Sequence, residues 1–113
     1  MATRQMQAFH KDFLDEVKRL VDGEDIVVIG MGHNPVVKRA RRLLETAGLP
    51  YAYIGHGNYL FGYRRRLAVK MWSGWPLFPQ VFVKGVLIGG ARDLEAELRK
   101  GILAQRLTAP RVG

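Results

Sequence analysis

The segment WSGWPLFPQVFVKGVLIGG, residues 72–90, carries the clearest secondary-structure pattern in the chain. Residues 80–83 (QVFV) and 86–88 (VLI) are two short, largely apolar runs, and Lys84-Gly85 separates them. Two such runs joined by a two-residue turn predict a tight β-hairpin. Gly89-Gly90 follows the second run, and we predict a last helix over residues 93–106.

The elements before the hairpin are predicted from helical spacing of apolar residues, from β-branched runs and from turn residues. They are a helix at 5–21, a strand at 26–29, a helix that Asn34 and Pro35 open and Gly48 closes, a strand at 51–54 and a basic helix at about 59–72. The order αβαβαββα predicts one α/β domain over residues 1–113, with a four-stranded mixed sheet flanked by helices and a polar tail at about 107–113. The first two strands are expected to be parallel, because a helix connects them.

The charge of the chain is strongly and unevenly positive. Lysine and arginine together number 18 against 10 aspartates and glutamates, a net charge of +8. Residues 1–25 hold four basic and six acidic side chains, so the basic excess lies in the rest of the chain. Such an excess favours an anionic partner, which is a small anion, an acidic protein or nucleic acid. A well-solvated surface is the alternative explanation.

The chain contains no cysteine, which excludes a disulfide, a thiolate metal site and a thiol nucleophile. His10, His33 and His56 lack the spacing of metal ligands, so we expect no metal site. No apolar run reaches the roughly 18 residues of a membrane span, and residues 1–5 lack the apolar core of a signal peptide. We therefore expect a cytoplasmic protein with no membrane partner.

Residues 72–90 closely resemble the second half of the glutaredoxins. The family pattern there is W-P-[ST]-x-P-Q, then a strand, a turn and a glycine pair, and the resemblance extends over about residues 5–105. The first helix and residues 99–103 resemble the monothiol class of that family. The resemblance implies a thioredoxin/glutaredoxin-like fold for the whole domain.

The family's active site, C-P-Y-C in dithiol members, aligns with Asn34-Pro35-Val36-Val37. Asn34 takes the nucleophile position and Val37 the resolving position, so the resemblance implies no catalytic residue and no oxidoreductase activity. We expect Asn34 to act as the N-cap of the helix that follows. Monothiol members share an iron–sulfur cluster through this cysteine, so we expect none here.

The resemblance also implies a binding cleft for glutathione. Its residues would be Asn34, Arg66, Phe78, Pro79, Gly90, Ala91 and Asp93. Pro79 matches the family's cis-proline, Arg66 the arginine for the glycyl carboxylate of glutathione, and Asp93 a cap and partner of its amino group. Met31, Ala91 and Arg92 replace a lysine, a cysteine and an aspartate of the family.

Two functions of different classes follow from these observations. The first is a redox-inactive binding module whose cleft takes glutathione, a related anionic peptide or the tail of a protein. The alternative is a basic adaptor for acidic proteins or, less favoured, nucleic acid. The adaptor would bind through the residues Lys38, Arg39, Arg41, Arg42, Arg64, Arg65 and Arg66. A third hypothesis is an enzyme that transfers glutathione without a cysteine. Thioredoxin-fold relatives use Ser or Tyr for such chemistry, and neither residue stands at the start of the second helix.

Overall fold

The computed structural model describes residues 4–30, 34–55 and 63–111, with side chains from residue 13 and from residue 65 in the first and third ranges. The elements in chain order are α1 (Arg4–Gly23), β1 (Ile26–Ile29), α2 (Pro35–Thr46), β2 (Ala52–Ile54), α3 (Tyr63–Ser73), β3 (Gln80–Val83), β4 (Val86–Gly89), α4 (Ala91–Lys100) and α5 (Ile102–Thr108). Among these described helices, none combines the length and the apolar character that a membrane span requires.

The four strands form one mixed sheet in the order β2-β1-β3-β4. β1 pairs with β2 in parallel and with β3 in the antiparallel sense, and β3 pairs with β4 antiparallel. The predicted sheet and the parallel pairing of the first two strands are therefore confirmed. β1 lies inside the sheet and all of its residues are buried, which explains why its sequence is a continuous apolar run.

The β3–β4 hairpin turns at Lys84 and Gly85, as the sequence predicts. Both residues have positive φ, 53° at Lys84 and 81° at Gly85, as a type I′ turn requires. The Lys84 backbone N–H donates to the carbonyl of Asp25 at 2.7 Å, and its ammonium pairs with the Asp25 carboxylate at 3.3 Å. These contacts tie the turn to the residue that precedes β1.

Helices cover both faces of the sheet, and β1 contributes to both cores. Val27 and Ile29 pack with α1 and α3, whereas Ile26 and Val28 pack with α2, α4 and α5. This alternation follows from the two-residue side-chain period of a strand. The helices contribute Val17, Val21 and Val69 to the first core and Ala40, Leu44, Leu94 and Leu103 to the second.

The last helical segment differs from the single helix predicted at 93–106. It begins at Ala91 and is divided into α4 and α5 at Gly101, which has a left-handed φ of 76°. The N–H of Gly101 donates to the Leu98 carbonyl and closes α4. Apolar periodicity continues across this position because Leu103 is still buried, so the break is not visible in the pattern of hydrophobic residues.

The segment after α5 also differs from the polar tail predicted at 107–113. Leu107 and Thr108 still belong to α5, and Leu107 packs against the second core. The Arg111 guanidinium donates to the backbone carbonyls of Val21 at 3.3 Å and Glu24 at 2.6 Å. Carbonyls at the end of a helix lack partners within the helix, so Arg111 satisfies acceptors at the end of α1.

Candidate functional site

One edge of the sheet collects the segments predicted to form the cleft. β1 and β2 both end at this edge, and the register pairs Ile29 with Gln80 and Val81 with Gly89. The chain just after β1, just before β3 and just after β4 therefore lies at the same edge. The topology brings the starts of α2 and α4 together with the segment that precedes Gln80.

Asn34 caps α2 in the way the sequence predicts. It has extended dihedral angles, φ −85° and ψ 120°, and its side-chain oxygen accepts from the N–H of Val36 at 2.8 Å and of Val37 at 3.3 Å. Pro35 takes the first helical position, where the missing N–H is not needed. Val37 is 2% exposed and belongs to the first core, so its side chain does not face solvent.

The peptide bond between Phe78 and Pro79 is cis, as the resemblance implies. Phe78 is 9% exposed and belongs to the first core. Gln80 is wholly buried, and its side-chain amide donates to the backbone carbonyl of Trp75 at 3.0 Å. The segment from Trp75 to Pro79 is thus held against the start of β3 by both packing and a hydrogen bond.

Asp93 and Gly90 form the start of α4. The Gly90 backbone N–H donates to the Asp93 carboxylate at 2.9 Å, which confirms Asp93 as a capping residue. A Cβ on Gly90 would lie 3.5 Å from the Pro79 carbonyl oxygen, so these two segments are in direct contact. Ala91 is 5% exposed and Asp93 is exposed.

The comparisons with known proteins agree with this arrangement. A family model described as glutaredoxin matches residues 35–88. A curated glutaredoxin-like protein of Dictyostelium discoideum is 39% identical over 95 residues, which make up 84% of this chain and 77% of that protein. The chain belongs to the glutaredoxin family.

Two further relatives bear on the class and on the fold of this glutaredoxin. The bifunctional monothiol glutaredoxin-S16 of Arabidopsis thaliana is 36% identical over 70 residues, 62% of this chain but 24% of that longer protein. The crystal structure of a buckwheat glutaredoxin–glutathione complex has a TM-score of 0.78 and 26% identity, and the match covers 95% of this chain and 94% of the buckwheat chain. The resemblance to monothiol members and the expected fold are both confirmed.

This glutaredoxin lacks the chemistry of a thiol enzyme at the start of α2. Its sequence has no cysteine, and Asn34 stands at the aligned position. A thiolate there would be stabilised by the helix terminus and would attack a disulfide. The Asn34 amide is neutral, and its oxygen already accepts hydrogen bonds from the amides that a thiolate would face.

Arg66 lies half-buried on α3, and Lys70, in the last turn of the same helix, is also half-buried. The Lys70 ammonium lies 5.6 Å from the centroid of the Phe78 ring. Lys70 was not among the site residues predicted from the sequence. Its position one turn after Arg66 was the available signal, because residues four apart share a helix face. That Arg66 contacts a ligand stays a prediction.

Three arginines of the alternative basic surface make contacts within the chain. Arg39 pairs with the Glu95 carboxylate, which joins α2 to α4. The Arg41 guanidinium lies 3.9 Å from the centroid of the Tyr53 ring, and the Arg65 guanidinium lies 4.7 Å from that of Phe13. The ion pair with Glu95 offsets the charge of Arg39, whereas the ring contacts leave the charges of Arg41 and Arg65 in place.

Arg41 also belongs to a hydrogen-bonded group with two tyrosines. Its Nε donates to the Tyr51 hydroxyl at 3.1 Å, and that hydroxyl donates to Glu45 at 2.7 Å. The hydrogen bond with Tyr51 raises the pKa of Arg41 above its usual value. Burial raises the pKa of Tyr51 and of Tyr53.

Several residues singled out in the sequence lie outside the described part of the chain. They are Met31, His33 and His56, the side chains of His10 and Arg64, and residues 59–62 of the predicted basic helix. Among the side chains that the structure does describe, no group of three histidines, aspartates or glutamates could hold a metal ion.

Proposed function

We propose that this glutaredoxin is a redox-inactive binding module rather than an enzyme. Its ligand is glutathione, a related anionic peptide or the extended tail of a protein. The cleft consists of the residues Asn34, Arg66, Phe78, Pro79, Gly90, Ala91 and Asp93. The observation that carries the proposal is the Asn34 cap, because its side chain accepts from the N–H groups of Val36 and Val37 at the helix terminus.

The cap has consequences for both chemistry and binding. An asparagine amide cannot supply the electron pair that a thiolate uses to attack a disulfide, so the redox step has no nucleophile. Because Asn34 occupies the first amides of α2, an anionic ligand must be held by other groups. Arg66 can pair with a carboxylate through two parallel hydrogen bonds, a geometry that suits guanidinium.

The opposite wall of the cleft is built around Gly90. The contact between Gly90 and Pro79 and the hydrogen bond to Asp93 keep this segment extended at the start of α4. An extended backbone next to the Phe78–Pro79 bond suits pairing with an extended peptide. Asp93 lies exposed at this end and suits a cationic group such as a peptide amino group. The buckwheat relative, named as a complex with glutathione, supports the choice of ligand.

A titration with reduced glutathione, followed by backbone amide NMR, tests the proposal. We expect the amides of Phe78, Gly90, Ala91 and Asp93 to shift together with one dissociation constant, because only the folded cleft brings these segments together. The affinity should be modest. A charge-assisted contact is worth about 1.5–3 kcal/mol, and Met31 replaces the family's lysine.

Two arginine variants distinguish binding in the cleft from diffuse attraction to the positive charge of the protein. Arg66→Ala should weaken glutathione binding about tenfold or more, by the same contact energy. Arg42→Ala, an exposed site on α2, should leave it unchanged. Equal losses in the two variants would indicate diffuse electrostatic attraction, and absence of any concerted shift would refute the cleft as a binding site.

A further inference from the structure

An open groove of about 450 Å³ lies between α2 and α4, on the face of the sheet opposite to α1 and α3. The α2 residues that line it recur at three- and four-residue intervals, which places them on one side of that helix. The complete lining consists of Arg39, Arg42, Leu43, Thr46, Ala47 and Leu98.

This groove is separate from the cleft proposed above. α2 and α4 both begin at the cleft edge of the sheet, whereas Leu43, Thr46 and Leu98 belong to the second halves of these helices. At 1.5 Å per residue, roughly 12 Å of helix axis separates Pro35 from Leu43. A ligand in the groove therefore leaves the cleft open.

The floor of the groove is apolar. Leu43 and Leu98 are half-buried, because each packs against the second core and also lines the groove. Ala47 lies beside them and is exposed. An apolar side chain that covered this floor would remove further apolar area from water, which stabilises a complex. The groove thus favours a partner with leucine-like side chains over one that offers charge alone.

The rim of the groove is cationic. Arg39 and Arg42 are both exposed, and Arg39 pairs with the Glu95 carboxylate across the two helices. The ion pairs among the described side chains do not include Arg42, so none of them offsets its charge. The last turn of α4 adds two exposed cations, Arg99 and Lys100. Carboxylates at the edge of a bound partner would complement this rim.

The groove suits a protein helix better than nucleic acid. Affinity for a duplex rests on several phosphates that separate cations neutralise. Of the two arginines in the lining, Arg39 is already paired with a carboxylate, and the floor between the helices is apolar. An amphipathic helix places its apolar stripe in such a groove and keeps its charged residues at the rim.

We propose that the groove between α2 and α4 binds an acidic amphipathic helix of another protein. Leucine-like side chains of that helix lie against Leu43 and Leu98, and one of its carboxylates pairs with Arg42. Guanidinium suits this pairing, because it holds a carboxylate through two parallel hydrogen bonds. The groove gives the chain a second binding surface, independent of the ligand in the cleft.

Three synthetic helical peptides of equal length test the groove by backbone amide NMR. The first has leucines along one side and glutamates on both flanks. The second has glutamine in place of the leucines, and the third has glutamine in place of the glutamates. The first should shift the amides of Leu43, Thr46, Ala47 and Leu98 together. The other two should each bind at least about tenfold more weakly, through loss of apolar burial or of the ion pair.

Variants of the protein test the rim and the lining separately. Arg42→Glu should weaken binding of the first peptide at least about tenfold, because repulsion replaces the ion pair. Thr46→Glu keeps Arg42, adds a negative charge to the groove and should weaken binding several-fold. The matched control is Arg19→Glu, at an exposed site of α1 on the other face of the sheet. It changes the net charge as much as Arg42→Glu does and should leave the affinity nearly unchanged.

Equal losses from Arg42→Glu and Arg19→Glu would indicate diffuse electrostatic attraction and overturn the proposal. Equal binding of the three peptides, no amide shift, or shifts confined to Gly90 and Ala91 in the cleft would overturn it as well. Sedimentation of the protein alone tests for a second copy in the groove, and competition with a short DNA duplex tests for nucleic acid. A dimer that Arg42→Glu dissociates, or displacement of the peptide by the duplex, would overturn the proposed partner.

Discussion

The Asp93 carboxylate accepts a hydrogen bond of 2.9 Å from the backbone N–H of Gly90. The same carboxylate fills the space beside Gly89, where an added Cβ would lie 2.3 Å from Asp93 Oδ2. Gly89 has a φ of 123°, a backbone conformation open in practice to glycine alone. The start of α4 therefore depends on Asp93 and on the absence of a side chain at Gly89.

Gly89→Ala should lower the free energy of unfolding by about 2 kcal/mol or more, from backbone strain together with displacement of the Asp93 cap. Urea unfolding measures this. Gly23→Ala is the control, because a Cβ there meets no atom within 4 Å and the backbone is not left-handed. The double variant Gly89→Ala/Asp93→Ala should lose less than the sum of the single losses, since removing the carboxylate relieves the clash. Strict additivity would contradict this account.

The protein should show no thiol–disulfide oxidoreductase activity, because the nucleophile is absent from the sequence. The measurement is turnover of a glutathione mixed disulfide, coupled to glutathione reductase and NADPH. The rate should equal that of the buffer blank. A rate above the blank that scales with protein concentration would show that another group performs the reaction.

Asn34→Cys should create a thiol with a pKa below the ordinary value of about 8.5, because it would stand at the N-terminus of α2 facing free amides. The ultraviolet absorbance of the thiolate, recorded as a function of pH, measures this pKa. Thr46→Cys, at the opposite end of the same helix, provides the comparison, where the helix terminus disfavours an anion. Equal pKa values at the two positions would mean that the helix terminus does not stabilise a thiolate.

We expect no [2Fe–2S] cluster after anaerobic reconstitution with iron, sulfide and glutathione. With Asn34 at the position of the cysteine ligand, half of the thiolates of the shared cluster are missing. Visible absorption and bound iron per protein are the measurements. A brown preparation that retains iron after desalting would contradict the prediction. Asn34→Cys serves as the comparison that restores the ligand.

Stability should fall at alkaline pH through the two tyrosines beside Arg41. Burial raises the pKa of Tyr51 and Tyr53 above 10.0, so the folded state favours their neutral forms. The resulting stabilisation is fully present below about pH 10 and is lost as the pH rises through the raised folded values. The slope of unfolding free energy between about pH 9 and 11 should be smaller in Tyr51→Phe/Tyr53→Phe. If this slope is the same in the double variant and in the wild-type protein, the two tyrosines do not cause the loss of stability.

Local features of the fold were predictable from the sequence. Lys84-Gly85 between two apolar runs predicted the hairpin, and Asn34-Pro35 predicted the start of α2, because turns and caps depend on residues close in the chain. The cis bond before Pro79 followed from resemblance to the family alone. The division of the last helix at Gly101 was missed, since apolar spacing continues through it while the backbone turns left-handed.

The candidate site was predictable in part for the same reason. The cap by Asn34 and the cap by Asp93 act over two to three residues, and both are present as expected. The contact of Lys70 with the Phe78 ring was not foreseen, because it joins α3 to the segment before β3. The pairing of Arg39 with Glu95 spans 56 residues and was equally hidden in the sequence.

The sequence by itself determined that no thiol chemistry is available, because a residue type that is absent from the chain cannot be supplied by folding. It also determined where caps and turns form, since these are short-range hydrogen bonds. Only the tertiary structure decided which cations contact a partner elsewhere in the chain. Charged side chains find their partners across elements distant in the chain, so packing of α3 against the sheet left Lys70 beside Phe78, while packing of α4 against α2 gave Arg39 its carboxylate.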